Sequence, residues 1–198
     1  MVMSSLLAGA EESRLAVIRE PAFLLKKAIY GNSFQEYNAQ HHHESIMTID
    51  FCLGWLKTNS TINRSFKSTH AYEVFHDYLS RISKFSPTSV ISMGQIKKEP
   101  KSSSINTWVC TPGSTHMLSS EKLAENLSHS LDSGIKRIRI AIGGPDGFPQ
   151  EEIKELRPDR FWSFGPMTLP HELALIVASE QIYRAWTIIK KMPYHLGH

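Results

Sequence analysis

Chemistry in this sequence gathers around a glycine loop, Gly143-Gly144-Pro145-Asp146-Gly147, which follows the alternating run Arg137 to Ile142. Paired glycines after a strand let a flat or bulky ligand approach the main chain, or they serve a tight turn at positive φ; the loop alone leaves both open. It is not a phosphate loop, because no Gly-Lys-Ser/Thr follows, and it lacks the Gly-x-Gly-x-x-Gly dinucleotide fingerprint. A second cluster, His41-His42-His43, invites a metal. Three adjacent side chains cannot all face one ion from a regular element, and no Cys or Asp/Glu cluster flanks them at ligand spacing, so they read as a solvated linker. Cys52 and Cys110 stand alone, without Cys-x-x-Cys spacing, and read as buried thiols of a reducing compartment.

These residues need elements to hold them. Ile49, Phe51 and Leu53 alternate as a strand, and Tyr72, Phe75, Leu79 and Ile82 recur as a helix. Ser89–Met93 and Ile105–Cys110 read as two more strands. Ser119 and Ser120 precede Leu123, Leu127 and Leu131, with Glu121 in the first turn and Gly134 just past the end, which marks a capped helix. Ile138, Ile140 and Ile142 form a strand, Gln150–Leu156 a short helix, Arg160–Phe164 a last strand and His171–Lys190 a long closing helix. On that helix Leu173, Ile176, Val177, Tyr183 and Ile188, with Leu169 before it, are expected to share the packed side. Alternating strands and helices predict an α/β fold with a mostly parallel sheet covered on both faces. Ligands then sit beyond the strands' carboxyl ends, which singles out Val109–Gly113, Gly143–Gly147 and Gly165–Pro170.

Composition narrows the class. With 41% apolar and 21% charged residues, the chain is neither disordered nor collagen-like. No stretch reaches the length of a membrane span, since Leu169–Ile189 is interrupted by His171, Glu172, Glu180, Gln181 and Arg184. Residues 1–46 read as an N-terminal extension with one helix near Glu11–Tyr30, and 47–198 as the main domain. The net charge is +3; the extension holds four basic and five acidic groups, leaving +4 for the domain, which is compatible with RNA and one local basic patch.

Four segments carry a resemblance in order and spacing: Ile-Gly-Gly-Pro-Asp-Gly at 142–147, Met-Thr-Leu-Pro-His at 167–171, Glu-Gln-Ile-Tyr-Arg-Ala-Trp at 180–186 and Pro-Tyr-His at 193–195. Together they resemble the RlmH family of ribosomal large-subunit pseudouridine methyltransferases, in the SPOUT class. The similarity covers roughly Met47 to His195 and is strongest from Met117. It implies a C-terminal trefoil knot, an exception to unknotted topology, that forms the S-adenosyl-L-methionine pocket. By position the cofactor contacts would be Val109 or Thr111, Gly143 and Gly144, and Phe164, Gly165, Pro166, Met167, Thr168 and Leu169. Arg184, Tyr194 and His195 match the family's residues near the acceptor. The implied reaction methylates N3 of a pseudouridine in large-subunit rRNA on the ribosome, in the cytoplasm, by a homodimer that needs no metal and no membrane.

Each carry-over has a plainer counterpart. Arg184 can simply pair with Glu180 at i and i+4, Tyr194 and His195 can be tail, His171 can cap or pack the closing helix, and Trp186 reads as core or dimer interface. The chain also departs from the family. A helix of some twenty residues between the second and third strands is replaced by Gln95–Ser104, and Cys110 or Pro112 stands where an acid commonly follows the third strand. Another RNA target, or a non-catalytic cofactor- and ribosome-binding relative, are the alternative functions.

Overall fold

A computed structural model describes residues 47–58, 60–100 and 102–195, with only the backbone of His195. The chain divides at Glu44–Ser45, and the expected helix near Glu11–Tyr30 and the His41–His43 triplet lie outside the described residues. Five strands, β1 (Thr48–Leu53), β2 (Thr88–Ser92), β3 (Ile105–Cys110), β4 (Arg137–Ile142) and β5 (Arg160–Trp162), make one sheet in the order β2-β1-β4-β3-β5. Every pairing is parallel. The helices are α1 (Thr69–Ile82), the single turn α2 (Met93–Ile96), α3 (Ser120–Asp132), α4 (Gln150–Leu156) and α5 (His171–Ile189).

Local chemistry places the ends. Ser68 accepts the Ala71 amide at the start of α1, and Ser119 accepts that of Lys122 at the start of α3. Past α3, Gly134 takes φ +74°, a left-handed conformation that glycine enters without a Cβ penalty. The last strand is shorter than its sequence pattern, ending at Trp162, because Ser163 turns to bind two loops described below.

The sheet's two faces are covered unequally. On one, Phe51, Ile140 and Trp108 lie side by side in register and pack with Ile49, Ile138, Ile142 and Trp162 into the core beneath α1, α3 and α5. Phe51 meets Phe75 of α1 edge-on at 5.5 Å, a favoured aromatic geometry. The other face carries an apolar row, Cys52, Ala141 and Val109, under Met93 and Ile96 of α2 and Leu156 of α4. Beside it runs a polar row: Ser89, Asp50, Arg139 and Thr107.

Alternation alone would turn Asp50 and Arg139 outward, yet both are buried. Glu99, in the segment between β2 and β3, accepts from Arg139 and, at 2.8 Å, from Arg137. Arg137 also reaches Asp50 at 3.4 Å, and the Ser89 hydroxyl donates to Asp50 at 2.6 Å. Lys97 pairs with Glu155 of α4 at 2.9 Å. A one-turn helix and an ion-pair network therefore cover this part of the face.

The closing helix centres its buried stripe beside the expected one. Leu175, Ala178, Ile182, Ala185 and Trp186 face the core; Ile176, Tyr183 and Ile188 of the expected side pack half-buried against it, whereas Val177 is half-buried outside the core and Leu173 is 44% exposed. Apolar residues surround most of α5, so their spacing does not select a face. The face is set by tertiary packing, and Ala178 and Ala185 lie fully buried on it. Trp186 is core, stacked on Phe85 at 6.1 Å.

Candidate functional site

Because β4, β3 and β5 are neighbours in the sheet, the loops leaving their carboxyl ends emerge together. They enclose a cleft of about 310 Å³, within the size range of small-molecule sites. Its lining is mostly main chain and apolar side chain: Gly143 to Gly147 on one side, Phe164, Met167 and Leu169 on another, Thr111 and Pro112 on the third, and His171 and Ala174 of α5 at the edge.

The two leading glycines of the loop serve different ends. Gly143 has ordinary φ, but a Cβ there would stand 2.6 Å from the Gly147 carbonyl carbon and 2.7 Å from its Cα. The loop folds back on itself, closed by the Gly147 amide donating to Gly144 O at 2.9 Å with Gly147 at φ +77°. At Gly144 a Cβ would meet only Trp55 Cβ, at 3.8 Å. That position has room for a side chain, and its bareness leaves main chain open to the cleft.

A buried serine fixes the opposite wall. The Ser163 hydroxyl donates to Gly113 O and accepts the Gly165 amide at 3.1 Å, while the Gly113 amide donates to Gly165 O at 3.1 Å. Gly113 and Gly165 both take positive φ, +121° and +113°. The loop after β3 is thus pinned to the loop after β5, and Trp162 supports Phe164 edge-on at 4.8 Å.

Titration states follow from surroundings. Burial pushes the Cys110 thiol upward, so it is a protonated apolar wall and no nucleophile. His171 packs edge-on against Trp55 at 4.5 Å, and burial lowers its pKa against the opposing pull of Glu172, which keeps the ring neutral at pH 7. It packs rather than caps, since the α5 N-cap is Pro170 with no side-chain bond. Asp146 is the only carboxylate among the described lining residues.

A second polar cluster sits far along α5. Arg184 donates to Glu180 from Nε at 2.9 Å and pairs with it through its terminal nitrogen at 2.7 Å. The Tyr194 hydroxyl donates to the same carboxylate at 3.2 Å, its ring lies 5.0 Å from the Arg184 guanidinium, and it meets Tyr183 edge-on at 4.8 Å. Burial, then the Tyr78 hydroxyl, raises the Tyr194 pKa, so the phenol keeps its proton. Tyr194 is held in place and does not fray; the His195 side chain lies outside the described residues.

Of the residues expected at the cofactor, Thr111, Gly143, Gly144, Phe164, Gly165, Met167, Thr168 and Leu169 line the cleft. Val109 does not, because the pleat turns it into the second-face core beside Ala141. Pro166 is exposed and off the lining. Arg184 and Tyr194 come together but away from the cleft. Ten residues of helix separate Arg184 from Ala174, about 15 Å at the α-helical rise. Sequence reading passed over Ile142, His171 and Ala174 as lining residues; the signal available was their place at the ends of β4 and α5.

A family model described as "Predicted SPOUT methyltransferase" matches residues 60–195. The ribosomal RNA large subunit methyltransferase H of Koribacter versatilis (strain Ellin345) is 35% identical over 127 residues, covering 62% of this chain and 86% of that protein. The methyltransferase H of Bartonella tribocorum is 49% identical over 78 residues, 39% of this chain and about half (48%) of its own length. Among solved structures, the ribosomal RNA small subunit methyltransferase E of Neisseria gonorrhoeae bound to S-adenosyl methionine aligns over 72% of this chain and 66% of its own, with 12% identity and TM-score 0.40.

Proposed function

As the chain belongs to the SPOUT methyltransferase family, we propose that it transfers a methyl group from S-adenosyl-L-methionine to N3 of a pseudouridine in large-subunit rRNA, as a cytoplasmic homodimer. The observation that carries the reading is the cleft formed by three main-chain loops at the ends of β4, β3 and β5. Its chemistry fits the cofactor. Bare backbone at Gly144 suits a flat adenine, Ile142, Phe164 and Leu169 suit its faces, and Asp146 offers a carboxylate to ribose hydroxyls where the family's usual acid is missing. A knotted chain path through these pinned loops is part of the proposal.

When bound, the cofactor supplies an activated methyl on a sulfonium. The protein's share is alignment, because an in-line displacement needs the acceptor nitrogen about 3–3.5 Å from the methyl carbon. An N3 imide must also shed its proton, and a cation beside the developing anion stabilises it. We assign stabilisation of that anion to Arg184, Tyr194 and His195, with the imide proton leaving to solvent water. The Arg184 guanidinium stays charged, its pKa raised by the bond to Glu180, and the Tyr194 phenol stays protonated and can donate.

A second copy is part of this reading. Some 15 Å of α5 separates Arg184 from Ala174 at the edge of the same chain's cleft, a spacing that favours a site completed between two chains. Pairing through the apolar side of α5 left open by the core, with Leu173 exposed and Val177 half-buried, would bring the partner's cluster to the cleft.

Calorimetry with S-adenosylhomocysteine, then tritiated-methyl transfer to ribosomal particles with mass-spectrometric mapping, tests the reading. Micromolar binding and label on N3 of a pseudouridine are expected. No cofactor binding by pure protein refutes it, label on another nucleotide corrects the target, and binding without transfer to any particle selects a non-catalytic relative.

A further inference from the structure

The segment between β1 and α1, residues 54–68, holds Lys57, Arg64 and Lys67 and no acidic residue. It plays no part in the cleft described above, yet it is built against it. Gly54 donates its amide to Ile142 O at 2.8 Å, and a Cβ on Gly54 would lie 3.0 Å from the Gly144 amide and 3.2 Å from Gly143 Cα. Trp55 stands beside the glycine loop, its Cβ 3.8 Å from where a Cβ on Gly144 would lie, and meets the His171 ring edge-on. The segment is thereby locked to the rim.

Two hollows follow this rim. One, lined by Trp55, Lys57, Ser60, Thr61, Arg64 and Ser65, presents two cations and three hydroxyls. The other, lined by Lys67, His171 and Glu172 among others, shares Pro145, Thr168 and Leu169 with the cleft. Lys57, Arg64 and Lys67 are all exposed, and none has an ion-pair partner among the described residues. Glu172, the acid at hand, takes the backbone amide of Lys67, not its ammonium. The buried Trp55 Nε1–H has no acceptor, a donor left over beside the first hollow.

From this we infer that Lys57, Arg64 and Lys67 form a phosphate-binding track that lays an RNA backbone along the rim of the cleft. This rests on the RNA reading above and deepens it. Exposed unpaired cations interleaved with hydroxyls suit a chain of phosphates, and a track ending at His171 and Thr168 delivers the strand where the methyl group would be. Positioning of this kind carries no base specificity.

Counterion release fixes the size of the effect. Each phosphate contact to a single strand adds about 0.7 to the slope of log affinity against log salt, so three contacts add roughly 2 and are worth roughly 100-fold at 0.1 M salt. The test is fluorescence anisotropy of the full chain on a labelled 20-nucleotide RNA stem-loop across a KCl series, with K57Q/R64Q/K67Q beside the wild type and S-adenosylhomocysteine calorimetry on both. The expected result is a slope lower by about 2 and affinity about 100-fold weaker, with cofactor affinity and melting temperature unchanged. Wild-type RNA binding that the triple variant keeps in full overturns the track and leaves the RNA reading standing. A wild type that binds cofactor but no RNA overturns both, and equal salt-dependent binding of polyglutamate overturns the track in favour of any acidic partner.

Discussion

Replacing Gly143 by alanine separates the loop's shape from its occupant. Since φ at Gly143 is not in the left-handed region, alanine meets no backbone penalty, and the whole effect comes from a Cβ 2.6–2.7 Å from the Gly147 main chain. Both contacts are backbone, so no side chain can rotate away. Overpacking of this kind costs about 1–3 kcal/mol, which for a chain of this size lowers the melting temperature by roughly 2–4 °C per kcal/mol. Gly144→Ala is the internal control, as its Cβ meets only Trp55 Cβ at 3.8 Å. The fold should accept it, whereas any ligand lying over Gly144 should not. Differential scanning fluorimetry with and without S-adenosylhomocysteine, followed by calorimetry, reads both. G143A is expected to melt about 3–10 °C lower and to bind at least tenfold more weakly; G144A is expected to melt like the wild type and to bind weakly. A G143A protein with wild-type melting and affinity would refute the folded-back loop, and a G144A protein with wild-type affinity would refute the ligand's path.

Further outcomes follow from the same structure. Glu99→Gln leaves the buried Arg139 guanidinium short of its counter-charge, beside an Nε already without a partner, and should cost about 2–3 kcal/mol in urea unfolding, less than a fully buried pair because Glu99 is 35% exposed. His171 has a folded pKa below its ordinary 6.5, so the unfolded chain binds the proton more readily. Its stabilising contribution is then complete above about pH 6.5 and declines as pH falls toward the folded value; the melting curve of H171Q should be flatter between pH 7 and 5 than that of the wild type, and parallel curves would count against the buried neutral ring. Cys52 is buried and its thiol is pushed up to about 12, so a disulfide reagent at pH 7.5 should not titrate it until denaturant is added, whereas Cys110, half-buried in the cleft wall rather than fully buried as expected, should react slowly in the native protein.

Much of the fold is legible in the sequence because its signals are local. The strand Ile105–Cys110 and the helix Gln150–Leu156 keep their sequence-derived bounds, and the capped helix begins at Ser120 after the Ser119 cap. Period-two and period-3.6 patterns, caps and glycines need only neighbouring residues to act. Two parts were not legible, for different reasons. On α5 the apolar residues go nearly all round, so the buried stripe was decided by which side met the rest of the core. In β1 and β4 the polar positions Asp50 and Arg139 looked outward, and only the arrival of Glu99 from a segment 40 residues away from Arg139 made burying them tolerable.

Function divides along the same line. The glycine loop, the Met-Thr-Leu-Pro-His segment and the Arg184 helix are sequence features, and they identify the family and the residues worth attention. What they do together is a matter of strand order. Only the sequence β4-β3-β5 across the sheet makes three loops, far apart in the chain, share one cleft, and only the length of α5 keeps Arg184 and Tyr194 away from it. The basic segment between β1 and α1 is likewise an unremarked loop in one dimension; its place on the rim follows from Gly54 packing on Gly143 and Gly144. Short-range preferences are written in adjacent residues, whereas a site built from loop ends exists only once the sheet has fixed which ends are neighbours.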